Sequence, residues 1–365
     1  MTTKPTYWDY LDIEQLLSLQ DGLPDGEEPS ADELHFIIVH QIFELWFKLV
    51  LREIRLARDA LSASDVPEEQ IPLVVRHLQR VGKIFEHSMS QWAVMETLTP
   101  QDFLAFRDKL VPASGFQSFQ LREIEIVLGL DPVQREASGF GDPVKVIQKL
   151  ADESPSGEMA KDRVAAVLQE ENLAQALRNW VFRTPIQGSQ PSDTDDGTVV
   201  ERFITDYVHA QGKHLENQAK IYGSQGTLSE TEARTRLSHT LQETEDFLRA
   251  ADEPGDQQAA RSRSRCAILF IESYRELPLL AWPRTLLDVI VDLEEQLVLF
   301  RTRHVRMVER VIGRRMGTGG SSGVDYLETT LKYRIFTDLW TVRTILLPRQ
   351  ALPAISSPEY YGFNA

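Results

Sequence analysis

Apolar positions recur at intervals of three and four along most of this chain. Leu286, Ile290, Leu293, Leu297, Phe300, His304, Met307 and Val311 form one such stripe, the spacing that lines up one face of a helix. Gly313, just past its last member, predicts the helix end. A second long helix is expected over about 30–61. Ser30-Ala31-Asp32-Glu33 fits a capping box at its start, and the following ELHFIIVHQIFELWFKLV is apolar on nearly every face, which predicts a central, buried helix. A third is expected over about 67–96, with Val74, Leu78, Val81 and Phe85 as its stripe and Pro72 in its first turns. Thr99-Pro100-Gln101-Asp102 starts another with an N-cap and a proline at its first position. Further helices are expected over 13–19, 117–128, 143–151, 158–181, 199–221, 230–250 and 257–275, and from Val324 onward. Residues 185–197, PIQGSQPSDTDDG, predict a mobile loop, and the tail after Pro348 has little periodicity. No segment alternates as a strand. The expected fold is all-α: one domain over residues 1–365, a helical bundle with its long helices at the centre, and an aromatic N-terminal arm over residues 1–20.

Several residues in this pattern carry chemistry. His304 is the one polar ring in an apolar stripe. It fits first a core histidine with local partners, and it fits also a ligand, since neutral imidazole binds metals and a helix-borne histidine holds haem iron. After it comes Gly317-Thr318-Gly319-Gly320-Ser321-Ser322-Gly323, which follows a helix, lacks the dinucleotide-binding spacing and has no P-loop lysine. Its glycines offer flexible backbone and free amides. Phe36, His40, Glu44 and Lys48 share one helix face by their spacing of four. His40 fits a pocket wall or a satisfied core residue, and Glu44–Lys48 a local ion pair. Phe103, Phe106, Arg107 and Leu110 share another face. Arg107 there fits a surface residue lying on aromatics, unless it has an anion to bind.

Composition narrows the classes. The 365 residues carry a formal charge of −16, which disfavours nucleic acid or an anionic membrane as partner. The single cysteine, Cys266, excludes an internal disulfide and a cysteine-based zinc site and suits a reducing cytoplasm. The N-terminus lacks the apolar core of a signal peptide, and no unbroken apolar run reaches membrane-spanning length.

Four separated motifs together resemble the tryptophan 2,3-dioxygenase family of haem enzymes. They are Tyr7-Trp8-Asp9-Tyr10-Leu11; Phe36-Ile-Ile-Val-His40-Gln41 with Glu44-Leu45-Trp46; Phe103-x-x-Phe106-Arg107 followed by Pro112-Ala113-Ser114-Gly115-Phe116-Gln117-Ser118; and His304 with Gly317 to Gly323 and Tyr326-Leu327. The resemblance implies haem b as cofactor, with His304 as the proximal iron ligand and Gly317 and Gly319 beside the cofactor. It implies L-tryptophan, or a close derivative, and O2 as substrates, opening the indole ring to N-formylkynurenine. Phe36 would pack on the indole and His40 would orient it through its N–H. Arg107 would grip the carboxylate, Thr318 would touch the amino-acid end, and Phe103, Leu110 and Ser114 would line the pocket. Tyr7, Tyr10 and Leu11 would reach into a neighbouring subunit of a homo-oligomer, typically a tetramer. The chain departs from the family at Ala31, where a histidine is usual, at His35, usually apolar, and at Phe300, often tryptophan. That last change leaves room for a related haem monooxygenase of substituted tryptophans, such as β-methyltryptophan to an oxindole. A non-catalytic haem sensor would leave the substrate clamp unexplained. A di-iron bundle is disfavoured because no Glu-x-x-His occurs.

Overall fold

The computed structural model describes residues 4–22, 28–111, 113–136, 142–151, 157–224, 230–315 and 323–362. Sixteen α-helices run through them: α1 (Tyr7–Leu11), α2 (Ile13–Leu17), α3 (Ala31–Ser62), α4 (Ile71–Met95), α5 (Pro100–Phe106), α6 (Phe119–Leu128), α7 (Pro132–Glu136), α8 (Pro143–Ala151), α9 (Gly157–Val167), α10 (Leu173–Val181), α11 (Asp196–Ser224), α12 (Glu230–Leu248), α13 (Gly255–Ser273), α14 (Ala281–Val311), α15 (Gly323–Thr330) and α16 (Thr337–Ile345). Among the described residues the only β pairing is an isolated bridge between Ile186 and Ser189. The fold is all-α.

Local chemistry explains the boundaries. Ser30 Oγ accepts from the Glu33 amide at 3.2 Å and starts α3. Thr99 caps α5 ahead of Pro100. α14 ends at Gly313, whose φ of +70° is the left-handed conformation that glycine adopts without strain. The helix expected over 158–181 is two, because the Asn172 side chain caps a new start, accepting from the Gln175 amide at 2.9 Å. The helix expected over 13–19 is α2, which ends at Leu17, and a further short turn, α1, precedes it across Asp12 with φ +51°. Thr6 and Asp9 close a capping box over α1.

The chain divides into two compact units. The first comprises Met1–Ile54, Arg80–Glu170 and Leu293–Tyr333. Its core is aromatic: Phe300 of α14 lies 5.5 Å from Phe85, 6.0 Å from Phe43 and 6.2 Å from Phe47. A buried ionic cluster lies in the same unit. Glu125 of α6 accepts from Arg122 at 2.9 Å and from Arg301 of α14 at 3.0 Å, and Arg122 also donates to the Tyr326 hydroxyl at 3.0 Å.

The second unit comprises Arg55–Gln79, Glu171–Asp292 and Arg334–Ala365. It corrects one expectation, the mobile loop at 185–197. Buried Arg263 of α13 grips Asp196 with two nitrogens, at 2.7 and 3.1 Å, and donates to the carbonyls of Phe182, Thr184 and Ser189. The Tyr361 hydroxyl, at the fully buried end of the unpatterned tail, donates to Pro185 O at 3.0 Å and accepts from the Gly188 amide. Glycine and proline set the turns of this loop, while long-range charge-assisted bonds hold it.

A second correction concerns α3, which is not buried on every face. Leu34, Ile38, Ile42 and Leu45 are each more than a third exposed in the protomer. The helix contains an 18-residue stretch of mean hydropathy 1.5, apolar enough by length and composition alone to cross a membrane, and only 28% of it is buried. Counting unbroken apolar runs missed this, because a windowed average tolerates the polar residues that interrupt the stretch.

Candidate active site

The first unit brings most of the singled-out side chains together. α3 carries Phe36 and His40 one turn apart, so their rings meet at 4.0 Å. α5 supplies Phe103 and Phe106, 5.9 and 5.7 Å from the Phe36 ring and edge-on to each other at 5.5 Å. Both are buried. The result is an aromatic wall with an imidazole at its edge.

His40 has one defined tautomer. Its Nδ1 lies 2.8 Å from the Phe36 carbonyl oxygen. A carbonyl can only accept, so Nδ1 carries the proton and Nε2 presents a lone pair. Burial lowers the His40 pKa from its ordinary value, outweighing the Phe36 carbonyl and Glu44, which favour the charged form. The ring is therefore a neutral acceptor at neutral pH.

Glu44, one turn further along α3, is not the partner expected. Its carboxylate accepts from Ser118 Oγ at 2.7 Å and from Gln120 Nε2 at 2.7 Å, and that same nitrogen donates to the Glu44 carbonyl at 2.8 Å. Lys48 is exposed. Glu44 thus ties α3 to the turn leading into α6. That turn begins at Ser114, whose hydroxyl accepts from the Phe116 amide while the Gln117 side chain accepts from the Ser114 amide. Arg107 follows Phe106 at the head of a 3-10 turn, Arg107–Leu110, and Arg107, Leu110 and Ser114 are all half-buried. Lys109 of the same turn lies 3.6 Å from Glu33 in the first turn of α3.

On α14, His304 faces the same region. Burial lowers its pKa to about 3, and the neighbouring His40 and Arg122 act in the same direction. A neutral imidazole is the form that binds a metal. The Trp92 ring of α4 lies parallel to it, with centroids 4.7 Å apart, and Phe300 lies 6.3 Å away. Glu96, at the end of α4, accepts from Arg303 at 3.1 Å and holds this part of α14. Beyond Gly313, Arg314 pairs with Asp325 and Glu328 of α15, which brings together the two ends of the glycine-rich segment. Gly317, Thr318 and Gly319 themselves lie outside the described residues.

Tyr7, Tyr10 and Leu11 do not join the site within one protomer. The two tyrosines are 72% and 80% exposed, and Leu11 and Trp8 are also exposed. Among the described residues the arm is fastened behind them: Gln41 Nε2 of α3 donates to Leu19 O at 2.8 Å, and its Oε1 accepts from Gln20.

Sequence reasoning missed Trp92, the true partners of Glu44, and the Arg122–Glu125–Arg301 cluster. Trp92 had a local signal, since it continues the α4 stripe seven residues after Phe85. The other two depend on pairings far apart in the chain. Among the described residues no cluster of three His, Cys, Asp or Glu side chains offers a shell for a bare metal ion. His304 stands as a single imidazole.

Comparison with known proteins concerns the chain as a whole. Residues 2–346 match the family model for tryptophan 2,3-dioxygenase. The chain is 45% identical to the tryptophan 2,3-dioxygenase of Sorangium cellulosum, over 100% of this chain and 89% of that protein. It is 44% identical to tryptophan 2,3-dioxygenase 2 of Ralstonia nicotianae, over 98% and 97%. A more distant relative, the tryptophan 2,3-dioxygenase of Dictyostelium discoideum, is 33% identical over 96% and 85%.

Proposed function

The chain belongs to the tryptophan 2,3-dioxygenase family, an enzyme family, and from that premise we propose that it uses haem b and O2 to open the indole ring of L-tryptophan to N-formylkynurenine. The observation that carries the proposal is the pair of neutral imidazoles. His40 presents an Nε2 acceptor, and burial keeps the His304 imidazole neutral. One suits an indole N–H and the other an iron.

The residues fit the cofactor. Haem needs one protein imidazole and leaves the sixth position open, which matches a lone His304. Haem also brings carboxylate side chains. Arg122 and Arg301 around the single carboxylate of Glu125 leave a buried excess of positive charge, and among the described residues Arg122 Nε has no hydrogen-bond partner. Such a charge is costly without an anion, so a haem carboxylate at Arg122 fits. When bound, the haem supplies the ferrous centre that holds and activates O2.

The chain's own residues bind and orient the substrate. Arg107 takes the carboxylate in a two-pronged contact, for which guanidinium geometry is suited. Phe36 and Phe103 provide the slot for the flat ring, with Leu110 and Ser114 along its wall. His40 Nε2 accepts the indole N–H and fixes which edge of the ring faces the iron, so it orients the substrate and is not required as a base. Thr318 meets the amino-acid end. Tyr7, Tyr10 and Leu11 cover the pocket of a neighbouring copy in a homotetramer, which their exposure supports, and deletion through Leu11 should weaken substrate binding more than haem binding. Equal weakening of both would count against that role. A cytoplasmic location belongs to the same proposal and is checked by cell fractionation.

A second reading is a haem monooxygenase of a substituted tryptophan. Phe300, set among Phe43, Phe85 and Trp92 beside His304, favours it, because residues behind a ligand tune the metal. The test of the haem assignment is reconstitution of wild type and His304→Ala. Wild type should show a histidine-ligated haem spectrum that the variant loses. A native spectrum in His304→Ala would defeat it.

A further inference from the structure

We propose that Trp92 is a positioning residue for His304: stacked on the imidazole, the indole fixes the rotation of the ring and strengthens its bond to iron. This rests on the reading of His304 as the haem ligand. A metal-bound histidine is commonly oriented by its second nitrogen, which donates to a carboxylate or carbonyl. His304 makes no such hydrogen bond among the described residues. Its ring would then turn freely, since a torsion onto a planar ring has a broad, shallow preference. What holds it is the Trp92 face, parallel to the imidazole with the planes at 0° and the centroids 4.7 Å apart.

Trp92 is itself held rigidly. It is only 4% exposed. Phe43 of α3 stacks on its indole at 4.1 Å, and Phe300, one turn before His304 on α14, lies 5.5 Å away. Three helices therefore fix the plane against which His304 rests. Among the described residues the buried indole N–H has no acceptor, an arrangement that costs stability. A phenyl ring would fill such a place without that cost. What tryptophan adds is the most electron-rich aromatic face among the side chains. An imidazole bound to iron gains positive character, and that face stabilises it. The contact thus grows stronger when the ligand bond forms.

The test compares Trp92→Leu, Trp92→Phe and a packing control, Val164→Ala, in the haem-loaded protein. Val164 is fully buried in α9, and the loss of unfolding stability of each variant is measured alongside. The readout is the iron–histidine stretching band of the ferrous enzyme. Trp92→Leu should shift and broaden the band, Trp92→Phe should restore its sharpness and only part of its position, and Val164→Ala should leave it unchanged. In the haem-free protein, the His304 Hε1 proton, assigned by its loss in His304→Ala, should lose its ring-current displacement in Trp92→Leu. A wild-type band in Trp92→Leu, or an equal shift in Val164→Ala, overturns the proposal. A wild-type protein with no band that His304→Ala removes would overturn the haem role of His304 first, and this proposal with it.

Discussion

Glu44→Gln tests how the site is held together. The Glu44 carboxylate accepts two hydrogen bonds, from Ser118 Oγ and Gln120 Nε2, both at 2.7 Å. Bonds to a charged acceptor contribute roughly 1.5–3 kcal/mol each, and a half-buried group belongs at the lower end. Glutamine keeps one oxygen to accept from Gln120 and turns its NH2 toward Ser118 Oγ, whose hydroxyl must rotate to accept. Both bonds lose their charge, while the bond from Gln120 to the Glu44 backbone carbonyl survives. The expected loss is about 2 kcal/mol of unfolding free energy, read by urea denaturation of the haem-loaded protein. Function should follow, because Ser118 closes the turn that begins at the pocket residue Ser114. Loosening that turn should raise KM for tryptophan about tenfold with haem content unchanged, a cost of roughly 1.4 kcal/mol in binding. A stability change within about 0.5 kcal/mol, the range of an ordinary surface substitution, together with an unchanged KM, would refute the reasoning.

Two further outcomes follow from the pocket. Arg107→Leu should raise KM by about ten- to a hundredfold, since a charge-assisted contact with the carboxylate contributes roughly 1.5–3 kcal/mol; equal turnover of tryptophan and tryptamine by wild type would argue against that role. The His40 pKa lies below its ordinary 6.5 because burial disfavours the charged ring. Its neutral form therefore adds stability that is present above pH 6.5 and lost as pH falls below it. kcat/KM for tryptophan should stay level from pH 8 to 6.5 and fall only in more acid solution. That acid limb should shrink for 1-methyltryptophan, which has no indole N–H to donate, and a fall already complete by pH 6.5 would contradict a neutral His40.

Local rules made much of this molecule legible. The cap at Ser30, the start at Thr99, the end of α14 at Gly313 and the stripe bearing His304 are events within a few residues, where spacing and capping decide. The grouping of Phe36 with His40, and of Phe103 with Phe106, followed from helical periodicity in the same way. What joins these groups did not. Glu44 bonds Ser118 and Gln120, 74 and 76 residues away, whereas periodicity pointed to its local neighbour Lys48. Arg301 meets Glu125 across 176 residues. Arg263 pins a loop whose composition predicts mobility. Side-chain reach across helices selects such partners, and a single sequence does not encode that reach as a period. The exposed stripe of α3 escaped for a related reason, because apolar character on every face does not say which face the protomer covers.

The most direct test of the central claim is the reaction under 18O2 with reductant and L-tryptophan, with product masses read out. The account predicts N-formylkynurenine carrying two labelled atoms from one O2. One labelled atom in an oxindole or hydroxylated product from a substituted tryptophan, with tryptophan itself untouched, would contradict it.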